Sequence, residues 1–317
     1  MPALLFHQNM RAFGGGSEPR NRAYLGRPPP RRRLPATWPH VCPAHGAVGF
    51  PAIARDLAAY TQLGPQGICA IGLTELTNAA SARQTAAGLC NALLQGAPVN
   101  VHMFHCGTTA GGGGRREYAA IAIPTGVTVI ALGRIATGGR VEDRISQVAL
   151  QPGVVEGWTE LPPGASADWR FIVYAVIERP GMGRFAAGFL HNTYTLDSKP
   201  STAQRLRWLA NEIWRSTRPP PQHIYIGGDF NVEPHAPGTR LPLTPYFVAT
   251  EANTPLRFQL AGGELGGTTW HGRLYDYWLS DVAMEDRAAP LPLLHTATWD
   301  GPSGLMSDHV ATLLYIP

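Results

Sequence analysis

The stretch of sequence that decides the fold is an apolar run ending in polar residues, Ile224-Tyr225-Ile226-Gly227-Gly228-Asp229-Phe230-Asn231-Val232-Glu233-Pro234. Such a run predicts a buried strand that brings polar side chains to the rim of a sheet. On an extended backbone Asp229 and Asn231 would share one face, while Phe230 would point into the packing. A carboxylate and an amide oxygen on one face suit a hard cation or a phosphate-bound water. The alternative is an ordinary Asp-Phe-Asn turn, because Asp and Asn favour turns.

The composition predicts a globular chain that is rich in strands and turns. The 317 residues are 44% hydrophobic, enough for a sizeable core, and their 36 glycines and 29 prolines argue against a helical bundle. The net charge is +4, and Lys199 is the only lysine among the basic residues. Arginine binds phosphate well, although a coding bias explains the same excess.

Cysteine spacing and hydropathy argue against a zinc protein and a membrane protein. None of the four cysteines forms a CxxC pair, and Cys69 and Cys90 are expected as buried thiols, although a disulfide stays open. No signal-peptide pattern opens the sequence, and no apolar run approaches the length of about 18 residues that suggests a membrane helix. We expect a soluble chain without stable membrane insertion, either cytoplasmic or delivered outside the producing cell.

The order of predicted elements favours two packed sheets with helices outside them. Three helices are predicted, at 50–63, 80–95 and 200–216, and they fall singly between more numerous strands. This order predicts an α/β fold, a four-layer α/β/β/α sandwich of two mixed β-sheets, as one domain over residues 1–317. An arginine- and proline-rich loop at about 16–48 is expected to form an arm over the rim of the site.

The polar candidates share one placement, at the start or the end of an apolar strand. They are Asn9, Glu75, Glu117, His191, Asp229, Asn231, Asp276, Asp308 and His309. Oxygen ligands from Asn9, Glu75 and Asp308 would suit one octahedral Mg²⁺. Histidines beside carboxylates act as acid and base near neutral pH. Since no Gly-x-Ser-x-Gly motif occurs, these residues favour attack of water on phosphorus. Three further histidines, His7, His102 and His105, are expected to be core or surface residues.

Four of these motifs resemble, in order, those of the endonuclease/exonuclease/phosphatase superfamily, which includes deoxyribonuclease I. The motifs are Asn9, Glu75, Gly228-Asp229-Phe230-Asn231 and Ser307-Asp308-His309. The resemblance implies the deoxyribonuclease I fold and a Mg²⁺-dependent hydrolase, with Mn²⁺ or Ca²⁺ as substitutes. Residues 228–234 also look like the Gly-Asp-Phe-Asn-x-Glu-Pro motif of the cytolethal distending toxin branch. Two other motifs of that branch are similar to Gly113-Gly114-Arg115 and Leu274-Tyr275-Asp276-Tyr277.

Other details resemble deoxyribonuclease I or depart from the family. Asn9-Met10-Arg11-Ala12-Phe13-Gly14 and Arg116-Glu117-Tyr118 resemble stretches of deoxyribonuclease I. Thr77 stands where that enzyme has a groove-reading arginine, and Thr74 stands where family members often have glutamine before the metal-binding glutamate. The departures bear on duplex preference more than on the chemistry.

The resemblance implies a role for each candidate residue. Mg²⁺ would be positioned by Asn9, Glu75 and Asp308. The scissile phosphate would be flanked by His191 and His309, one protonating the leaving oxygen and the other polarising water. These histidines would be oriented by Glu117 and Asp276 respectively. Asp229 and Asn231 would hold the water and a phosphate oxygen, and Arg11 and Arg115 would contact phosphate.

The expected function is that of a Mg²⁺-dependent endonuclease acting on DNA, as a monomeric catalytic domain. The toxin-like motifs suggest a toxin or effector, for which delivery subunits or an inhibitor protein would be partners. The alternative is a phosphatase of phosphoinositides or other phosphomonoesters, because the same site supports that chemistry. A binding module with an inactive site is disfavoured, since no expected catalytic residue is missing.

Overall fold

The computed structural model describes residues 3–13, 67–76, 98–108, 116–136, 146–147, 156–159, 171–192, 219–231, 259–260, 275–281 and 312–316. Their strands are β1 (Ala3–Phe13), β2 (Ile68–Leu76), β3 (Val99–Thr108), β4 (Arg116–Pro124), β5 (Thr128–Ala136), β6 (Ser146–Gln147), β7 (Glu156–Thr159), β8 (Phe171–Arg179), β9 (Gly183–His191), β10 (His223–Asp229), β11 (Gln259–Leu260), β12 (Asp276–Ser280) and β13 (Thr312–Ile316). The helices predicted at 50–63, 80–95 and 200–216 and the loop at 16–48 lie outside the described residues.

The strands form two mixed sheets, as the sequence predicted. The first has six strands in the order β13-β1-β2-β4-β3-β7, and the second has seven in the order β11-β12-β10-β9-β8-β5-β6. The pairs β1–β2, β3–β7 and β9–β10 are parallel, and the other described pairs are antiparallel. Two short strands, β7 and β11, were not predicted. Strand β2 runs beyond the apolar run Ile68–Leu73, through Glu75 to Leu76, and β1 runs beyond Asn9 to Phe13. Asn9 and Glu75, which were predicted at strand ends, therefore lie within their strands.

Apolar side chains of both sheets form one core. Strand β2 is buried along its whole length except at Glu75, which agrees with its unbroken apolar sequence. Phe104 of the first sheet and Val173, Phe189 and Trp278 of the second belong to the same buried cluster. Burying this much apolar surface is the main force that holds the two sheets together.

Two glycines let aromatic rings approach the backbone in this core. A Cβ atom on Gly72 would overlap the ring of Phe189, which belongs to the other sheet, and a Cβ on Gly227 would lie 2.6 Å from the ring of Trp278. The Phe189 and Trp278 rings meet edge to face, with centroids 5.9 Å apart. Interiors are packed too densely to accept an added carbon without movement. The contact between Gly72 and the Phe189 ring therefore sets how closely the two sheets approach.

We expect Gly72→Ala to destabilise the protein by about 1–3 kcal/mol, the usual penalty of overpacking. Gly126→Ala is the matched control, because a Cβ at Gly126 meets nothing within 4 Å. The control should be neutral or slightly stabilising, since alanine restricts the unfolded chain. Urea unfolding of the two variants tests the prediction, and equal midpoints would contradict it.

The start of β10 carries a histidine paired with a carboxylate. His223 Nδ1 lies 3.6 Å from Asp281 Oδ1, the same oxygen that accepts a hydrogen bond from the Ile224 backbone N–H at 3.0 Å. The polar contact with the Asp281 carboxylate raises the pKa of His223, an effect that partial burial opposes. The charged imidazole is therefore favoured in the folded state.

This raised pKa predicts a small pH dependence of stability. The stabilisation is fully present below the unfolded-state pKa of about 6.5 and is lost as pH rises through the folded-state pKa. Because the His223 side chain is 44% exposed, the pair should contribute no more than about 1 kcal/mol. Urea unfolding of the wild type and His223→Gln at pH 5.5 and pH 8 measures it. A difference between the two proteins that does not shrink at pH 8 would count against it.

Candidate active site

The strand registers bring six of the predicted site residues, all within the described ranges, to one rim of the sandwich. Asp229, at the end of β10, lies beside His191 at the end of β9 and opposite Asp276 at the start of β12. In the other sheet Asn9 pairs with Thr74, and Tyr118 pairs with Leu76. Asn9, Glu75 and Glu117 therefore share a level in the first sheet, as His191, Asp229 and Asp276 do in the second.

Glu117 and His191 form a hydrogen bond between the two sheets. The Nδ1 atom of His191 lies 2.7 Å from Oε1 of Glu117, whose side chain is 2% exposed. Because an ionised carboxylate can only accept, this contact places a proton on Nδ1 and makes Nε2 the reactive nitrogen of the neutral ring. That Nε2 lies 3.8 Å from Oε2 of Glu75 and 3.8 Å from Oδ2 of Asp229.

Asp229 is held at both carboxylate oxygens. Its Oδ2 accepts a hydrogen bond from Asn9 Nδ2 at 2.9 Å, and its Oδ1 accepts one from the Asn231 backbone N–H at 2.8 Å. Asn9 is 0% exposed and Asp229 is 1% exposed. A buried carboxylate that accepts a hydrogen bond at each oxygen keeps a fixed orientation, so Asp229 is presented to the site as a rigid group.

The position of Asn231 corrects the prediction that it shares an extended face with Asp229. Strand β10 ends at Asp229, and Asn231 adopts a left-handed conformation with φ 51°. The bond from the Asn231 N–H to Asp229 Oδ1 closes a turn of the kind that Asp favours, so the turn alternative describes the backbone. As predicted, Phe230 points into the packing, where it stacks on Tyr277 at 4.1 Å.

Asn192 ties this turn to strand β9 and was not among the predicted site residues. Its Nδ2 donates to the Phe230 carbonyl at 3.0 Å, and its own carbonyl accepts from Asn231 Nδ2 at 2.8 Å. Its backbone N–H also donates to the Asp229 carbonyl at 2.8 Å. The available signal was its placement directly after His191 at a strand end.

Glu75 lies in a distortion of β2 rather than at the end of that strand, where it was predicted. The pairing of β2 with β4 shifts register between Leu73 and Leu76, and Glu75 has φ 57°. Within the described part of the chain, Glu75 and Asn231 are the non-glycine residues with positive φ. A bulge re-aims a side chain, and such unfavourable backbone conformations cluster at functional sites.

Asp276 and Tyr277 lie buried behind Asp229. Burial, together with the negative charges of Asp229 and Asp276, raises the pKa of Tyr277 well above its usual range. Its phenol therefore stays protonated at any physiological pH. His309, which Asp276 was predicted to orient, lies outside the described residues, so that pairing stays a prediction.

Several other predicted residues also fall outside the described part. Asp308 and Arg115 lie outside it, and Arg11 belongs to β1 with its side chain outside the description. The described residues include no group of three His, Cys, Asp or Glu side chains arranged to hold a metal. The donors that they do contribute, the Asn9 amide and the Glu75 carboxylate, are oxygen ligands of the type that fits a hard divalent cation.

Sequence comparison then identifies the family. A family model described as the endonuclease/exonuclease/phosphatase family matches residues 51–309. The chain belongs to the endonuclease/exonuclease/phosphatase family. Members of this family are phosphodiesterases and phosphatases that generally use divalent metal ions. No curated protein matches the chain.

Solved structures of the endonuclease/exonuclease/phosphatase family share this fold at low sequence identity. One from Bacteroides thetaiotaomicron is 14% identical, with a TM-score of 0.56 over 100% of this chain and 95% of that one. The human Nocturnin catalytic domain is 13% identical, with a TM-score of 0.52 over 100% and 94%. A mannosyl-6-phosphatase of B. thetaiotaomicron VPI-5482 is 14% identical, with a TM-score of 0.53 over 98% of each chain. Across the described ranges of the chain, no helix has the length and apolarity required to cross a membrane.

The positive φ at position 75 predicts an inverted order of glycine and alanine variants. A left-handed conformation costs a non-glycine residue about 1–2 kcal/mol, so Glu75→Gly should be more stable than Glu75→Ala by about 1 kcal/mol. At Thr128, an exposed position of β5, glycine should be the less stable by about 0.5–1 kcal/mol. Chemical denaturation of the four variants tests the comparison. Alanine being better at both positions would show that Glu75 is unstrained.

Proposed function

We propose that this member of the endonuclease/exonuclease/phosphatase family is a Mg²⁺-dependent phosphodiesterase that hydrolyses DNA. The observation that supports it best is the environment of His191. Glu117 holds its Nδ1, and its Nε2 lies 3.8 Å from the carboxylates of Glu75 and Asp229. A histidine oriented in this way can transfer a proton at the reaction centre.

In the proposed reaction His191 transfers a proton through Nε2, while Glu117 retains the hydrogen bond to Nδ1. The positive charge on the protonated ring is stabilised by three nearby carboxylates, Glu117, Glu75 and Asp229. Acid–base catalysis of this kind contributes about 10²–10⁴-fold to a rate. His309 would serve as the second histidine, with Asp276 orienting it.

The remaining residues would hold the water, the phosphate and the metal. Asp229 and the Asn231 turn, braced by Asn192, would position the water and a phosphate oxygen. Asn9 and Glu75, together with Asp308, would hold Mg²⁺, which when bound would neutralise charge developing on the phosphate. Arg11 and Arg115 would bind flanking phosphates.

The choice of DNA rests on charge and motifs. The net charge of +4, with basic residues that are all arginine except Lys199, favours a polyanionic substrate. Because residues 228–234 resemble the distending-toxin motif, we propose that the protein acts as a toxin or effector that damages DNA. A phosphomonoesterase is the second candidate, supported by the similar fold of the bacterial mannosyl-6-phosphatase.

We expect the purified protein to nick supercoiled plasmid with Mg²⁺ and to stop when EDTA removes the metal. His191→Ala and Asp229→Ala should each lower the nicking rate by at least about 10²-fold, because each removes a group at the reaction centre. Gel assays over time measure the rate. Full nicking by both variants would rule out the site, and phosphate release from a phosphomonoester without nicking would select the second candidate.

A finer variant tests the proposed role of Glu117. Glu117→Gln keeps the size of the side chain but removes the charge that stabilises protonated His191, so kcat should fall while KM changes little. Glu178→Gln is the matched control, because Glu178 pairs with Arg184 in a partly exposed contact away from the rim. The control should retain the wild-type nicking rate.

A further inference from the structure

We propose that His7 is a positioning residue for Glu75. Its buried ring, hydrogen-bonded to Thr74, holds the bulge of β2 that turns the Glu75 carboxylate into the site. The inference deepens the proposed function and rests on it, since Glu75 is the metal-binding carboxylate of that proposal. The sequence predicted no role for His7 beyond that of a core or surface residue.

The hydrogen bond ends at the residue directly before the bulge. His7 and Thr74 are 0% and 1% exposed, and His7 Nε2 lies 3.1 Å from Thr74 Oγ1. His7 pairs in register with Gly72 and Asn9 pairs with Thr74, so the bond runs diagonally between the parallel strands. The pairing of β2 with β1 becomes irregular beyond Thr74, and its pairing with β4 becomes irregular beyond Leu73. The bond therefore anchors the last residue of β2 that is in register with β1 before Glu75 takes its positive φ.

The same ring also contacts the strand that carries His191. His7 stacks on Phe189 with ring centroids 6.5 Å apart and planes 16° apart. Phe189 fills the space of a side chain at Gly72 and precedes His191 by two residues. Because side chains alternate along a strand, His7 and Asn9 face the same way from β1. His7 is thus connected to the strands that carry Glu75, His191 and Asn9.

A directional contact explains why this position is polar. An apolar pair in place of His7 and Thr74 would bury as much surface but would make no directional contact. Burying polar groups is unfavourable unless they are hydrogen-bonded. Only a hydrogen bond fixes where Oγ1 of Thr74 lies, and with it the backbone that leads into Glu75. The pair also gives a structural role to Thr74, where family members often have glutamine.

The test compares variants that break the bond with variants that keep it. His7→Phe retains a stacked ring and Thr74→Val retains the shape, but each removes the hydrogen bond, whereas Thr74→Ser keeps the hydroxyl. His102→Phe is the matched control, because His102 is a buried histidine of the same sheet, 3% exposed. Calorimetric titration of the metal-free proteins with Mn²⁺ gives the affinity, and urea unfolding confirms that each variant is folded.

We expect His7→Phe and Thr74→Val to weaken Mn²⁺ binding by about 10–100-fold, the usual effect of losing a group that orients a ligand. Thr74→Ser and His102→Phe should keep the wild-type affinity. The double variant His7→Phe/Thr74→Val should bind Mn²⁺ no less tightly than the single variant with the lower affinity, because both substitutions break the same hydrogen bond. Wild-type Mn²⁺ affinity in both single variants would overturn the inference.

A crystal structure of metal-free His7→Phe separates this inference from the proposed function. A negative φ at position 75, or Glu75 withdrawn from its 3.8 Å approach to His191, would support the role of His7. A retained positive φ with an unchanged approach would refute it. A wild-type protein that neither binds Mn²⁺ nor nicks DNA would refute the proposed function instead, and the φ at position 75 would still decide the role of His7.

Discussion

The arrangement of the rim depends on the contact between Gly72 and Phe189. The Phe189 ring occupies the volume that any other residue at position 72 would need for its Cβ. This brings β2 of one sheet against β9 of the other at a level just below Glu75 and His191. Because closely packed interiors have low compressibility, a contact in the core fixes the positions of the strands on either side of it. The spacing of the two sheets is therefore set directly beneath the polar groups that face each other across it.

That spacing allows two hydrogen bonds, one buried and one partly buried, to join the sheets at the rim. Asn9 bonds to Asp229 at 2.9 Å and Glu117 bonds to His191 at 2.7 Å, and each pair takes one residue from each sheet. Buried polar groups stabilise a protein only when they are well bonded, so small changes of sheet spacing would turn these contacts from favourable to unfavourable. The fold and the proposed chemistry consequently depend on the same packing.

The features that were predictable from the sequence are those with a local signature. Apolar runs that end in polar residues identified the strands and placed Glu117, His191 and Asp229 at strand ends, whereas Asn9 lies within β1, which continues to Phe13. The conformation of Asn231 was not predictable in this way, because Asp-Phe-Asn is compatible with both an extended end and a turn. The role inferred for His7 depends on Thr74, which is 67 residues away along the chain. No periodicity reports a contact of that kind.

The two residues with positive φ differ in what their side chains explain. Asn tolerates the left-handed region, and Asn231 is stabilised there by hydrogen bonds to Asp229 and Asn192. Glutamate has no such tolerance, so the backbone at Glu75 favours glycine, which could not bind a cation or approach His191. A glutamate kept at an unfavourable φ is best explained by a need for its carboxylate. The strain at Glu75 thus argues for function independently of the family resemblance, because it follows from the backbone alone.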